Sequence, residues 1–293
     1  MLKRREPDVK NNFERERNAP RTTRNSFATR ARVRGMLLSS TGLIMVSAMV
    51  IVLLHEMYSS KSQARYFSEV ARQLTFQVEP RVNPAAYFPS YGPYDERLGY
   101  VQLPFFLSRL EKNGYQITDQ ARLSPRLKEI VNEGVFPIYK EKTQAGLTIL
   151  DRRGGRIFER QYPERAYAYF KSIPNLMVAA LLYIENRELL DNQYPERNPA
   201  VEWDRLLKVS GDALFRALFS RDHKLAVGST LATQIEKYRH SPDGITGSPR
   251  EKLRQMMSAA YRAYMDGEQT YESRKNVVRD YVNSVPLAAR AGY

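Results

Sequence analysis

The sequence contains no cysteine, and it has only three histidines among its 293 residues. The missing thiols exclude a disulfide framework, Cys-ligated zinc, iron–sulfur clusters and a cysteine nucleophile. His55, His223 and His240 leave little material for a histidine metal site or a Ser-His-Asp triad. Catalysis in this chain is therefore expected to depend on carboxylates and cations.

Basic residues are in excess, because Lys and Arg number 46 against 32 Asp and Glu, a formal net charge of +14. This charge predicts an anionic partner such as nucleic acid, anionic lipid or a phosphate group. The basic residues near the N-terminus alternate with acids and lack interleaved aromatic side chains. Nucleic acid is therefore not expected as the partner, and a disordered tail at residues 1–34 is the better prediction.

One long apolar run follows this tail. Residues 35–54 contain no charge, and a helix of that length spans roughly 30 Å, the thickness of the hydrocarbon core of a bilayer. A cleaved signal peptide would have a shorter apolar region, followed by a small-residue cleavage site. The sequence thus predicts an uncleaved transmembrane anchor at residues 35–55. The positive-inside rule keeps the tail in the cytoplasm and places the rest of the chain outside it.

Residues 56–145 are predicted to form a helical stalk over 56–80, a loop over 81–100 and a small α+β module. Nothing in this region suggests chemistry. Two short apolar runs flank Gly154-Gly155 and predict a β-hairpin. From there to the end of the chain the apolar pattern is helical.

The first informative helix is predicted after Ser172, a candidate cap, with Pro174 in its first turn. Glu185 continues its apolar stripe, which consists of Leu176, Met177, Ala180, Leu181 and Ile184. This carboxylate has two interpretations. It is either solvated where the helix emerges, or partly desolvated in a cleft and suited to proton transfer.

The second stretch runs from Gly228 to Lys237 and is uncharged until Glu236. Gly228 allows a turn, and Ser229 and Thr230 can cap the helix that follows. A helix N-terminus with hydroxyl groups and a later lysine suits an oxyanion or a pyrophosphate. An ordinary helix cap is the alternative.

A third helix is predicted after Ser248, with a capping box formed by Ser248 and Glu251. Its first two turns carry three cations, Arg250, Lys252 and Arg254. They form either a solvated face or part of an anion site. The predicted buried face consists of Leu253, Met256, Met257, Ala260, Tyr261 and Tyr264. A last amphipathic helix ends at Asn283.

Taken in order, these stretches resemble the peptidoglycan glycosyltransferases of glycosyltransferase family 51. This is the transglycosylase module of class A penicillin-binding proteins and of monofunctional transglycosylases. The family patterns I-P-x-x-L-x-x-A and E-D-x-x-F fall on Ile173–Ala180 and on the stretch that starts at Glu185. The patterns G-G-S-T-I-T-Q-Q-L-x-K, R-K-x-x-E and I-L-E-x-Y-L-N fall on residues 227–237, 251–255 and 277–283. The resemblance covers roughly residues 147–293.

The resemblance implies a mainly α chain, with a lysozyme-like helical glycosyltransferase domain at residues 146–293. The anchor and the small α+β module precede this domain. It further implies polymerisation of lipid II into β-1,4 glycan strands with release of undecaprenyl diphosphate. The location would be the bacterial inner membrane, with a single span, a cytoplasmic N-terminus and a periplasmic catalytic domain.

The resemblance also assigns residues. Glu185 takes the position of the general base, and Gln255 takes that of the second family carboxylate. The expected substrate-binding residues are Ser229, Thr230, Gln234, Lys237, Arg250, Lys252, Arg254 and Asn283. The two arginines in this set are included because they lie close to the matched lysines.

The expected partners are lipid II, the nascent glycan strand and the membrane, with cell-wall synthases or regulatory proteins as further candidates. No cofactor is evident in the sequence, and a divalent cation (Mg or Mn) stays open by family analogy.

Several positions depart from the family pattern. Gln255 stands where the family has a glutamate, Glu251 where it has an arginine, and Asn186 where it has an aspartate. The chain also stops at Tyr293, where the family domain normally continues, so a C-terminally truncated domain is expected. These departures favour a second hypothesis, a catalytically weak or inactive relative that binds lipid II or acts as a synthase scaffold. A lysozyme-like hydrolase is a third reading, and the diphosphate-type cations and the anchor argue against it.

Overall fold

The computed structural model describes residues 42–86, 92–203 and 229–285. The basic tail, the first residues of the apolar run, and Val227 and Gly228 lie outside the described residues. Helices dominate the described part, so the prediction of a mainly α chain is confirmed. The helices are α1 (Gly42–Ser59), α2 (Lys61–Ala71), α3 (Pro93–Arg97), α4 (Leu103–Lys112), α5 (Pro125–Asn132), α6 (Asn175–Glu185), α7 (Leu231–His240), α8 (Pro249–Ala263) and α9 (Tyr271–Ser284). The strands are β1 (Phe76–Pro80), β2 (Asp119–Leu123), β3 (Ala145–Leu150) and β4 (Arg156–Tyr162).

The strands form two small antiparallel sheets. β1 pairs with β2, with Val78 opposite Ala121. β3 pairs with β4, with Ile149 opposite Phe158, so the predicted hairpin is confirmed. Asp151 closes its turn, since one carboxylate oxygen accepts hydrogen bonds from the backbone N–H groups of Arg153 at 2.8 Å and Gly155 at 2.7 Å.

The apolar helix α1 has a mean hydropathy of 1.7 over its 18 residues, and its length and composition suffice to cross a membrane. The chain divides between Leu54 and His55, and the described residues from His55 onward belong to a second compact unit. The predicted stalk helix over 56–80 is only partly present. Ser60 adopts a left-handed conformation with φ of 54°, which separates α1 from α2, and residues 76–80 form the strand β1.

Two apolar clusters organise the second unit. The first joins α2, α5 and α8 and contains Val70, Leu127, Ile130, Ile138 and Tyr261. α2 and α5, which precede residue 145, therefore share a core with α8, although the domain boundary at 145/146 stays a prediction. The second cluster joins α6, α7 and α9 and contains Ile173, Leu231, Ile235, Val278 and Tyr281.

Small side chains bring α7 against α8. Ala232 of α7 and Ala259 and Ala260 of α8 are buried together. Because alanine adds only one methyl group beyond the backbone, the two helices can approach closely. This contact fixes the second family stretch against the third.

Part of the predicted apolar stripe on α6 faces outward. Leu176 is 82% exposed and Ile184 is 72% exposed, whereas Met177 and Leu181 pack against the second cluster. On α8, Leu253 is likewise exposed, and the polar residues Lys252, Gln255 and Ser258 occupy inward positions. The predicted buried face of α8 was wrong at Leu253 because three polar residues hold the inner positions of the helix.

The helix caps were predicted with mixed success. Thr230 caps α7 by accepting from the Thr233 N–H at 3.2 Å, and Ser248 caps α8. The predicted cap at Ser172 is wrong, because its hydroxyl donates to the Tyr169 carbonyl oxygen at 2.6 Å in a short 3-10 turn. α6 begins instead after Pro174.

Candidate active site

Glu185 is the last residue of α6 and is half-buried. Its Oε2 accepts a hydrogen bond from Gln234 Nε2 at 3.0 Å. Gln234 Oε1 in turn accepts from the Tyr281 hydroxyl at 3.2 Å. One chain of hydrogen bonds therefore links the first, second and fourth family stretches, and it orients the carboxylate.

Tyr281 belongs to this series of hydrogen bonds, although the sequence predicted no role for it. It lies in the fourth stretch, on α9, and is buried. Burial, together with the nearby charge of Glu185, raises the pKa of the Tyr281 phenol. The phenol therefore stays protonated at neutral pH and acts as a donor toward Gln234. The sequence shows that Tyr281 lies two residues before Asn283, but it does not show that the Tyr281 side chain points toward Gln234.

The N-terminus of α7 holds a buried cation. Lys252 Nζ donates to Ser229 Oγ at 2.6 Å and to Thr233 Oγ1 at 3.5 Å. Burial, and secondly the nearby ammonium of Lys237, lower the pKa of Lys252 to about 8. The Lys252 ammonium beside hydroxyls at a helix N-terminus forms an electropositive site, which suits a phosphate group. Lys237 lies in the last turn of α7 and adds a nearby positive charge.

The other two predicted cations do not join this site. Arg250 is exposed at the start of α8. The guanidinium of Arg254 lies 4.3 Å from the centroid of the Phe136 ring and 3.5 Å from a carboxylate oxygen of Glu251. At 3.6 residues per turn, both arginines lie about 160° around the helix from Lys252. Their assignment to substrate binding stays a prediction.

Gln255 is fully buried, with 0% of its surface exposed. Its Nε2 donates to Ser241 Oγ at 2.9 Å and to Thr246 Oγ1 at 3.0 Å. Ser241 Oγ donates onward to Glu251 Oε1 at 2.6 Å. Glu251 therefore bonds to Ser241 instead of completing the predicted capping box with Ser248. At the position predicted to correspond to the family's second carboxylate, the structure therefore has a buried neutral amide between hydroxyl groups.

Asn283 is also buried and uses both ends of its amide on one residue. Its Oδ1 accepts from the Tyr167 N–H at 2.9 Å, and its Nδ2 donates to the Tyr167 carbonyl oxygen at 2.9 Å. This pair ties the segment that leads into α6 to the end of α9. A role of Asn283 in substrate binding stays a prediction.

A buried ionic cluster supports α7 from outside the site. The Glu141 carboxylate accepts from Arg239 at 2.8 Å, His240 at 2.6 Å and Arg262 at 3.1 Å, and Arg262 also pairs with Glu236 at 2.6 Å. Burial by itself lowers the pKa of His240, but the adjacent carboxylate of Glu141 outweighs it and the net shift is upward. The cluster fastens the helix that carries Gln234 and Lys237.

This cluster was not predicted from the sequence. Glu141 lies about a hundred residues before its partners, and no local pattern signals a contact across that distance.

The described part of the structure shows no metal site. Within 42–86, 92–203 and 229–285, no group of three or more His, Asp or Glu side chains could hold a metal ion.

α7 contacts both a carboxylate, Glu185, through Gln234 and a buried ammonium group, Lys252, through Thr233. A mainly helical domain with these two groups on one helix is typical of enzymes that move a proton beside an anionic leaving group. Residues 153–292 match the family model described as Transglycosylase. This part of the chain is a transglycosylase domain of glycosyltransferase family 51, so at family level it is a peptidoglycan glycosyltransferase. No curated protein and no solved structure matches the chain.

Proposed function

We propose that the protein is a membrane-anchored glycosyltransferase that polymerises lipid II into β-1,4 glycan strands and releases undecaprenyl diphosphate. The observation that carries this proposal is the hydrogen-bond chain from Glu185 through Gln234 to Tyr281. It supplies a carboxylate in a fixed orientation, contributed by three separate family stretches. General-base catalysis requires such a group within hydrogen-bond reach of the acceptor.

In the proposed reaction, Glu185 accepts the proton of the acceptor sugar's 4-hydroxyl. The hydroxyl oxygen attacks the anomeric carbon of the donor, and the bond from that carbon to the diphosphate oxygen breaks with inversion. Gln234 donates to one carboxylate oxygen, which restricts the rotation of the base. Such preorganisation lowers the reorganisation cost of the step.

The leaving diphosphate carries the charge that develops in the reaction. Lys252 and Lys237 are assigned to this charge because their ammonium groups are close and Lys252 is buried. Interactions between charges strengthen where water is excluded. Ser229 and Thr233 hydrogen-bond the Lys252 ammonium and direct it. No step is assigned to a metal ion.

The anchor belongs to the same proposal. α1 is long and apolar enough to span a bilayer, and the substrate is itself attached to a lipid. We assign residues 1–34 to the cytoplasm and the transglycosylase domain to the periplasmic side of the inner membrane. Both the enzyme and its substrate would then be confined to one surface.

A second candidate function rests on Gln255. A fully buried amide with hydroxyl partners supplies no carboxylate. This observation favours a catalytically weak relative that binds lipid II, or scaffolds a synthase, without rapid turnover. Binding and turnover therefore have to be measured separately.

The test is polymerisation of lipid II by the full chain in detergent or nanodiscs, with Glu185→Gln beside it. Glu188→Gln is the matched control, because Glu188 lies three residues away, is exposed and pairs with Arg197 at 2.6 Å. We expect polymer from the parent and the control, and a loss of about a hundredfold or more in Glu185→Gln. Equal rates in all three proteins would contradict the assignment of the base. Lipid II binding without polymer from the parent would favour the scaffold.

A further inference from the structure

Helix α4 presents an unusual surface. None of its residues is buried, and among the described elements it packs mainly against the short turn Tyr100–Gln102 that precedes it. Phe105 is 61% exposed and Phe106 is 51% exposed. Their rings lie edge to face with centroids 5.8 Å apart. Two neighbouring exposed phenylalanines on one helix are costly in water and indicate a contact surface.

Basic residues share this face. At 3.6 residues per turn, Phe105, Phe106, Arg109 and Leu110 fall within an arc of about 140°, and Lys112 lies at its edge. Arg109 and Lys112 are in the last turn of the helix, and no acid is present in its first turn. Glu111 points about 170° away from the centre of the arc. The apolar side of α4 is therefore also its cationic side.

We propose that α4 lies in the headgroup region of an anionic lipid bilayer and forms a membrane contact in addition to α1. The proposal rests on the proposed function, which places the chain at a membrane. Interfacial helices combine aromatic and aliphatic side chains with Lys and Arg, which bind acidic headgroups. α4 precedes the part of the chain that matches the transglycosylase family, residues 153–292.

A lipid surface fits this face better than a protein does. A helix of 10 residues is about 15 Å long, so its outer face covers a few hundred Å². A stable protein interface buries about 800 Å² on each partner. Cations interleaved with exposed aromatic rings match the charge and depth of a headgroup layer, where each ring can enter the acyl boundary while the cations stay at the phosphates.

The absence of cysteine makes the test direct, since a single introduced cysteine carries the only label. The full chain is reconstituted into vesicles with a bimane label on Leu110→Cys, on the proposed lipid face, or on Glu111→Cys, on the opposite face. The vesicles contain phosphatidylcholine alone or mixed with phosphatidylglycerol, with and without doxyl-labelled lipid as quencher. Flotation of the vesicles separately reports whether the chain is anchored.

We expect doxyl lipid to quench the label at position 110 much more than that at 111, and quenching at 110 to weaken without phosphatidylglycerol. Arg109→Glu in the Leu110→Cys background should lower the membrane-bound population of α4 by at least about fivefold. Equal quenching at both positions in a chain that floats would overturn the proposal and leave the anchor intact. A label at position 110 that is shielded from water but not quenched by doxyl lipid would also overturn the proposal. The face of α4 would then be covered by protein, such as a second copy of the chain. A chain that does not float would contradict the anchor itself.

Discussion

Replacing Gln255 by glutamate introduces the carboxylate that the family pattern has at this position. The replacement tests whether the buried, hydrogen-bonded position tolerates a negative charge. The parent amide donates to Ser241 and to Thr246, and its oxygen also accepts from the Thr246 hydroxyl at 3.1 Å. A carboxylate cannot donate to either hydroxyl, and the Ser241 hydroxyl is already directed to Glu251, so only the hydrogen bond from Thr246 can persist. The Gln255→Glu variant therefore places a second negative charge at a fully buried position near the existing carboxylate of Glu251. Burial and the like charge both raise the pKa of the new carboxyl.

The size of the effect follows from linkage. If the folded-state pKa rises by about two units above the ordinary value near 4.3, the variant loses about 2.7 kcal/mol of unfolding free energy at neutral pH. Because the folded pKa is the higher one, the protonated form is favoured on folding. The loss therefore begins as pH rises above the unfolded value and reaches its full size above the folded value. In a chain of this length it should lower the melting temperature by about 5–10 °C.

Thermal unfolding of the parent and of Gln255→Glu, followed between pH 4 and pH 8 in one detergent, measures this loss. Adding Glu251→Arg to Gln255→Glu should recover most of the stability, because it replaces the like charge by an opposite one four residues away. Glu251→Gln is the control that removes the charge alone. A Gln255→Glu variant as stable as the parent at every pH would refute the description of this buried cluster.

Three further predictions concern the groups around the site. Gln234→Ala should lower the turnover of lipid II by about 10- to 100-fold with little change in lipid II binding, because it frees the base to rotate; an effect confined to binding would contradict its orienting role. Pyrophosphate binding should weaken as pH rises through about 8, where Lys252 loses its proton, and titration calorimetry should show this dependence disappear in Lys252→Arg. Glu141→Gln should cost about 3–5 kcal/mol of unfolding free energy, because two arginines and a histidine lose a buried partner. Glu129→Gln, at an exposed ion pair, should lower the unfolding free energy only slightly. Equal melting temperatures for these two variants would contradict the stabilising role of Glu141.

The sequence predicted what depends on short spacings. The hairpin at Gly154-Gly155, the caps at Thr230 and Ser248, and the order of the family stretches all follow from residues within a few positions of each other. Helical spacing also placed Glu185 at the end of a mostly apolar helix. Hydroxyl caps, glycine turns and apolar periods act locally, so they can be read without the fold.

The contacts that shape the site depend on distant residues. Nothing near Gln234 in the sequence indicates that it meets Tyr281, and nothing near Arg239 indicates Glu141. Three cations within five residues looked like one cluster, but the helical turn of α8 separates Lys252 from both arginines. An apolar residue such as Leu253 can also remain outside when polar residues take the inner positions.

The most direct test of the central claim is to incubate the full chain with radiolabelled lipid II and measure glycan polymer and released undecaprenyl diphosphate together. We predict that both products increase in parallel in the parent and that both form at least about a hundredfold more slowly in Glu185→Gln. Lipid II that binds but is not consumed by the parent, or soluble fragments released from intact sacculi, would contradict it.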